Sequence, residues 1–360
     1  MHTPAKDSSV AVTIKDIARR AGVTHSTVSR ALRGNPAIAT ETAARIKQIA
    51  DDLGYVPSAV ARGLRTNRSH ALGVIVSRID DPFFGEILQG IEDVSHEAGY
   101  SLFVAASHRN SDREQVIVQA MGERRVDGLV VCSTHFGKEH ERKLKSYGIP
   151  IVAVDNQALS DYQYSIYHDD FYGSQQATQH LIDLGHERIA YLGNAEAGRT
   201  TQDRLDGFCQ ALKDAGRSIR DEYIFHGPDG RPQGGVVGAQ HLMDLGERPS
   251  AIVCFNDMMA VGVLRALKGA GLCVPADCSV VGFDNISITA YSDPPLTTFE
   301  QPKYQLGFTA AQMMMNLLDS AQDGGPPSEP ETRILKGRMV VRESTAPPSL
   351  VKKSIGQIVT

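Results

Sequence analysis

The 360-residue chain has no tryptophan, only 6% aromatic residues and five cysteines, Cys132, Cys209, Cys254, Cys273 and Cys278. An odd number of thiols without a C-x-x-C pair makes neither a disulfide frame nor a zinc cage, and fits a reducing, cytoplasmic compartment. No apolar run exceeds strand length, so no membrane-spanning helix is expected. The opening MHTPAKDSSVAV lacks the apolar centre of a secretory signal. Also missing are G-x-x-x-x-G-K-[ST], G-x-S-x-G and H-E-x-x-H, while His2, His180, His186 and His226 stand at no paired ligand spacing. The stretches HGPDGRPQGG and GG-PP do not show the strand-then-helix glycine pattern of a dinucleotide site. Neither an enzyme nor a cofactor nor a metal is expected.

Charge of one sign is scarce only locally. Residues 1–68 carry 11 Lys and Arg against 5 Asp and Glu, whereas the remainder carries 26 against 37. A basic head on an acidic body puts phosphate attraction at the head and repels the body from DNA. Within the head, Thr13 and Asp16 form an acidic capping box, and Ile14, Ile17 and Ala18 recur at helical spacing. Gly22 supplies the turn, and Thr24 caps a second helix, HSTVSRAL. At 100° per residue Val28, Ala31 and Leu32 share one face of it, and His25, Ser26, Ser29 and Arg30 the other. That front of small hydrogen-bonding groups with one arginine suits a major groove. A third helix from about Thr40 to Leu53, with Ala44, Ile46, Ile49, Ala50 and Leu53, braces the pair. A plain three-helix mini-domain is the alternative.

From Ala71 the rhythm changes. ALGVIVS, SLFVAAS, GLVVCST, PIVAVDN, RIAYLGN, AIVCFND and SVVGFDN alternate with amphipathic stretches, as parallel strands covered on both faces do. The expected fold class is a small all-α helix-turn-helix head plus an α/β core of two doubly wound lobes. The divisions expected are a disordered leader at 1–11, the head at 12–57, a hinge at 58–69, the core at 70–345 and a flexible tail at 346–360. Lobe 1 takes about 70–169 and 299–330, and lobe 2 about 170–298 and 331–345. The GG-PP stretch at 324–330 reads as a surface loop.

Ligands of open α/β sheets sit beyond the carboxyl ends of the strands. Those ends are Ser77, Ser107, Ser133, Asp155, Asn194, Asn256-Asp257 and Asp284. Helix capping accounts for any one of them, but a ring of carboxylates and amides suits a polyhydroxylated ligand. Phe83 and Phe84 follow the first core strand, either as a hydrophobic staple or as a ligand wall.

The segments V-T-I-K-D-I-A-R-R-A-G-V-T-H-S-T-V-S-R-A-L, L-G-Y-V-P-S-A-V-A-R-G-L and V-V-R-E-S-T at 340–345 resemble the LacI/GalR family of bacterial transcription regulators over nearly the whole chain. The resemblance implies a periplasmic-binding-protein-like core and a homodimer gripping palindromic double-stranded operator DNA. It implies a hinge helix at SAVARGLR whose Leu64 wedges into the minor groove, with Ser58 where the family usually has Asn. The DNA-facing set is then Thr13, Thr24, His25, Ser26, Thr27, Ser29, Arg30, Ala59, Arg62, Leu64 and Arg65. On the ligand side the resemblance places Arg204, in QDRLDGF, as the effector-binding arginine. It carries over Asp155, Asn256, Asp257 and Asp284 as ligand contacts, with one or both of Phe83 and Phe84. Arg199, Gln202, Gln233, Tyr167 and Phe171 are weaker candidates. A repressor controlled by a sugar-like effector is the leading reading. A nucleobase or nucleoside effector, a pure solute-binding protein, and an enzyme with an appended head are the alternatives.

Overall fold

The computed structural model describes residues 12–55, 68–132, 138–155, 163–322 and 329–348. The chain divides into two units, Met1–Ser69 and His70–Thr360. The leader, the hinge helix with Ala59, Arg62, Leu64 and Arg65, the strand-end Ser133, most of the GG-PP loop and the tail from 349 lie outside the described residues.

The head comprises α1 (Ile14–Ala21), α2 (His25–Ala31) and α3 (Thr40–Asp52). Asp16 accepts from the Thr13 backbone N–H at 3.0 Å and from its hydroxyl at 2.7 Å, anchoring the start of α1. Gly22 ends α1 at φ 65°, which a side chain would resist. Ile17, Ala18, Ala21, Val28, Ala31, Ile46 and Ala50 close a small core. Ala44 is exposed instead, because α3 turns only its Ile46–Ala50 side inward.

The core has two six-stranded sheets, built from β1 (Ala71–Val76), α4 (Phe83–Glu97), β2 (Ser101–Ala106), α5 (Ser111–Glu123), β3 (Gly128–Cys132), α6 (Lys138–Ser146), β4 (Ile151–Val154), β5 (Tyr164–His168), α7 (Asp170–Asp183), β6 (Ile189–Asn194), α8 (Arg199–Asp214), β7 (Ile224–Gly227), α9 (Pro232–Met243), β8 (Ala251–Cys254), α10 (Asp257–Gly269), β9 (Ser279–Asp284), β10 (Thr297–Glu300), α11 (Lys303–Gln322), β11 (Glu331–Leu335) and β12 (Arg338–Val340). Lobe 1 has the order β11-β5-β4-β3-β1-β2, all parallel, and lobe 2 the order β12-β10-β9-β8-β6-β7, with only β12 antiparallel. Alternation sorts the strand residues between two layers. Leu72, Val74 and Val76 face α4 and α11, whereas Ile75, Leu129 and Val131 pack with Ile117, Val118 and Met121 of α5. Lobe 2 repeats the plan, with α9 and α10 on one face and α7 and α8 on the other.

Three details of the core depart from the expectation. β11 pairs with β5 in lobe 1, so residues 331–335 do not belong to lobe 2. The chain returns at Lys336-Gly337, where a Cβ on Gly337 would lie 1.9 Å from the Glu300 carbonyl. Three crossovers therefore run side by side, at 168–170, 300–303 and 335–338. β2 is an edge strand, and Phe103 and Val104 are 42% and 41% exposed rather than covered. The described tail also stays attached beyond 345, since Ala346 exchanges hydrogen bonds with Ser279 and accepts from His186.

In lobe 1, α4 and α11 cross backbone to backbone. A Cβ on Gly90 would lie 2.3 Å from the Tyr304 carbonyl, and one on Gly307 2.0 Å from that of Ile87. Gly90→Ala should therefore destabilise the core by about 1–3 kcal/mol in denaturant titrations. Gly85→Ala, on the same helix but facing open space, should be neutral or slightly stabilising.

Candidate nucleic-acid interface and effector cavity

α2 presents the predicted front. His25, Ser26 and Arg30 are exposed and Ser29 half-buried, while Val28 and Ala31 are buried behind them. Thr24 caps the helix, accepting from the Thr27 amide at 3.2 Å, and its hydroxyl lies 2.8 Å from that of Ser26 and 2.9 Å from that of Thr27. Thr13 is exposed, with its hydroxyl committed to Asp16. Arg33 folds back onto the Ser29 carbonyl, whereas the Arg30 side chain projects outward. Lys15, Arg19 and Arg20 add exposed positive charge on α1. These side chains can read base edges and neutralise phosphates.

Between the lobes lies a cavity of about 950 Å³ at the carboxyl ends of both sheets. Six of the seven predicted ligand residues line it: Phe83, Phe84, Asp155, Arg204, Asn256 and Asp284. Asp257 does not. Its carboxylate accepts from the Ile286 amide at 2.8 Å and the Thr298 hydroxyl at 2.6 Å, so it braces the loop after β9. Arg199 also lines the cavity; Gln202, Gln233, Tyr167 and Phe171 do not.

Arg204 is the buried charge at its centre. Its Nε donates to Asp170 Oδ1 at 2.7 Å and its Nη1 to the Phe255 carbonyl. The guanidinium carbon sits 3.9 Å from the Phe283 ring centroid and 4.5 Å from that of Phe255. Burial alone would lower its pKa, but the carboxylates of Asp170 and Asp284 more than reverse that. Asn256 caps α10 and ties down the Gly230 carbonyl at 3.0 Å, using both ends of its amide. Gln301 donates to Asp284 Oδ1 at 2.6 Å and the His168 amide to Asp155 Oδ1 at 3.1 Å, leaving one oxygen of each carboxyl toward the cavity. Burial drives Asp284 well above the carboxylate range, partly opposed by Arg204. His168 stacks on Phe283 beneath this layer, and burial lowers its pKa to about 4, so it is neutral.

Sequence reasoning missed Asp170, Asp81, Arg109 and Gln301. Asp170 follows β5, YSIYH, whose polar pattern hides it as a strand. Arg109 reaches from lobe 1 to donate to the Glu196 carbonyl in lobe 2 at 2.7 Å, a direct bond across the cleft.

A helix-turn-helix head in series with a two-lobed binding core defines a ligand-controlled DNA-binding regulator. Residues 13–58 match the family described as bacterial regulatory proteins, lacI family, and residues 69–336 the periplasmic binding proteins and sugar binding domain of that family. The chain is 34% identical over 331 residues to the HTH-type transcriptional repressor PurR of Photorhabdus laumondii, covering 91% of this chain and 97% of the relative. Among solved structures it resembles the lac repressor dimer bound to operator and the anti-inducer ONPF, with TM-score 0.81, 26% identity and coverage of 94% and 100%. It also resembles the complex of the transcriptional regulator CelR with cellobiose, with TM-score 0.70, 27% identity and coverage of 92% and 99%. The chain belongs to the LacI family, and it is a DNA-binding transcription regulator rather than an enzyme. Among the described residues no helix is long and apolar enough to cross a membrane.

The cavity carboxyls predict a pH signature. Burial, reinforced by the charge of Asp170, pushes Asp155 up to about 7 from 3.8. Between those values the folded core holds a proton that the unfolded chain has released. This carboxyl's contribution to stability therefore falls as pH rises through that window. The melting temperature of ligand-free Asp155→Asn, relative to wild type, should increase from about pH 5 to about pH 7.5. A difference that stays constant across the window would place the titration elsewhere.

Proposed function

We propose that the cavity of this repressor takes a sugar or sugar derivative, and that its occupancy sets the affinity of a homodimer for a palindromic operator. One observation carries the ligand class. Ser77, Asp155, Arg204 and Asp284, from both lobes, line the same cavity, and the internal hydrogen bonds of Asp155 and Asp284 engage only one oxygen of each carboxyl. Acceptors and donors converging from several directions suit a ring bearing many hydroxyls. The cellobiose in the CelR relative supports the same class. A nucleobase or nucleoside is the second reading, favoured by the aromatic wall of Phe83, Phe84 and Phe255 and by the likeness to repressors named PurR. For the dimer, the exposed Phe103 and Val104 on the edge strand β2, and Val116 on α5, leave apolar side chains uncovered along lobe 1 that a second copy could cover.

A thermal-shift screen against sugars, sugar acids, polyols and nucleosides separates the two ligand classes. Saturation at a hundred times Kd should add about 2.7 kcal/mol of stability. Stabilisation by nucleosides alone would overturn the sugar reading. Arg204→Ala and Asp284→Ala should each abolish the effector response while sparing operator binding. An unchanged response in both would mean that the ligand lies elsewhere.

In the head, His25, Ser26 and Arg30 read base edges, Thr24, Thr27 and Ser29 support them, and Arg62, Leu64 and Arg65 belong to the hinge that bends the operator centre. Arg30→Ala should cost about 1–3 kcal/mol on specific DNA and little on random DNA, whereas Lys15→Ala should weaken both alike. Equal losses for Arg30→Ala in mobility-shift titrations would remove it from the groove.

A further inference from the structure

Lys303 opens α11 with a side chain 1% exposed. Its Nζ donates to the carbonyl of Asp284 and, at 3.1 Å, to that of Asn285, and lies 3.3 Å from Glu86 Oε1. The two carbonyls take two of the ammonium's three N–H bonds, and the Glu86 carboxylate supplies a counter-charge beside it. Helix stability does not favour such a residue here. A cation at a helix N-terminus opposes the macrodipole, and burying it is penalised unless it is well partnered. The oxygens themselves are unusual. Asp284 and Asn285 hold φ of 118° and 54°, the region non-glycine residues avoid. That turn presents the Asp284 carboxyl to the cavity, where Gln301 holds one oxygen. Glu86 sits in the first turn of α4, beside Phe83 and Phe84, which line the opposite wall.

We propose that Lys303 is a positioning residue of the effector site: it fixes Asp284 in lobe 2 and, through Glu86, ties it to the ligand-facing turn of α4 in lobe 1. The functional weight of this coupling rests on the cavity being the effector site. Rotation of one lobe against the other must break a bond to this ammonium or carry both walls with it. Effector binding and lobe angle are then linked at one buried atom.

Hydrogen exchange on the full-length, ligand-free protein tests the coupling. Asn285 and Ile286 amides, bonded to Thr298 and Asp257, report on lobe 2, and the first turn of α4 reports on lobe 1. Lys303→Met should speed exchange roughly tenfold in both segments, as loss of a charge-assisted bond would. Glu86→Gln, at a half-exposed position, should leave the melting temperature within roughly 2 °C. It should nevertheless speed exchange at Asn285 and Ile286, in the other lobe. A role confined to holding α4 together would not produce that effect. The double variant should exchange no faster than Lys303→Met alone. Exchange changes confined to the mutated segment, or additive effects in the double variant, would overturn the proposal, and Glu86→Gln carries the test should Lys303→Met not fold. With no ligand present, a failed sugar screen leaves this result intact, and a failure here leaves the cavity its ligand.

Discussion

Lobe 2 is arranged around the buried guanidinium of Arg204. A guanidinium in a low-dielectric interior needs a counter-charge and acceptors for its N–H groups, or it unfolds its surroundings. Arg204 on α8 obtains them from Asp170 at the first crossover and the Phe255 carbonyl beyond β8, with Phe283 of β9 beneath its plane. Three segments of lobe 2 are thereby fixed relative to one another, and all three end at the cavity. The same cation tempers the Asp284 carboxyl, which burial would otherwise leave more fully protonated. Ligand recognition and the stability of this lobe therefore rest on the same contacts.

Control of DNA requires that the ligand distinguish two states of the core. The geometry provides for that. Ligand-facing groups come from both lobes, Arg109 bonds across the cleft, and Lys303 joins the lobes near the crossovers. The chain crosses between the lobes three times, at 168–170, 300–303 and 335–338. A ligand that bridges the walls thus selects among lobe angles, and it can do so only by as much as its affinity differs between them.

The sequence made the head nearly readable, because capping residues, a glycine turn and apolar spacing all act locally. Thr13 with Asp16, Gly22 at φ 65° and the Val28–Ala31 face follow directly from neighbours in the chain. In the core, strand ends were legible wherever the strand was apolar, which located Asp155, Arg204's neighbours at Asn256, and Asp284. Asp257 was misleading, since a carboxylate three residues past a strand end can turn inward and brace a loop, as it does toward Ile286 and Thr298. β11 is assigned to lobe 2 from the sequence but joins lobe 1, because its exposed alternation, ETRIL, carries no signal of which sheet it joins. Asp170 and Lys303 act through partners tens to hundreds of residues away, and spacing along the chain does not reveal such pairings.

Occupancy of this cavity is proposed to change the grip of a separate head on DNA. The most direct measurement is an anisotropy titration of the full-length protein on its operator, at fixed salt, with and without the sugar that stabilises it. A shift in operator Kd of roughly 5–150-fold, the usual range for such coupling, that disappears in Arg204→Ala is the predicted result. A sugar that binds in the cavity and leaves operator Kd unchanged would mean that the cavity does not control the head.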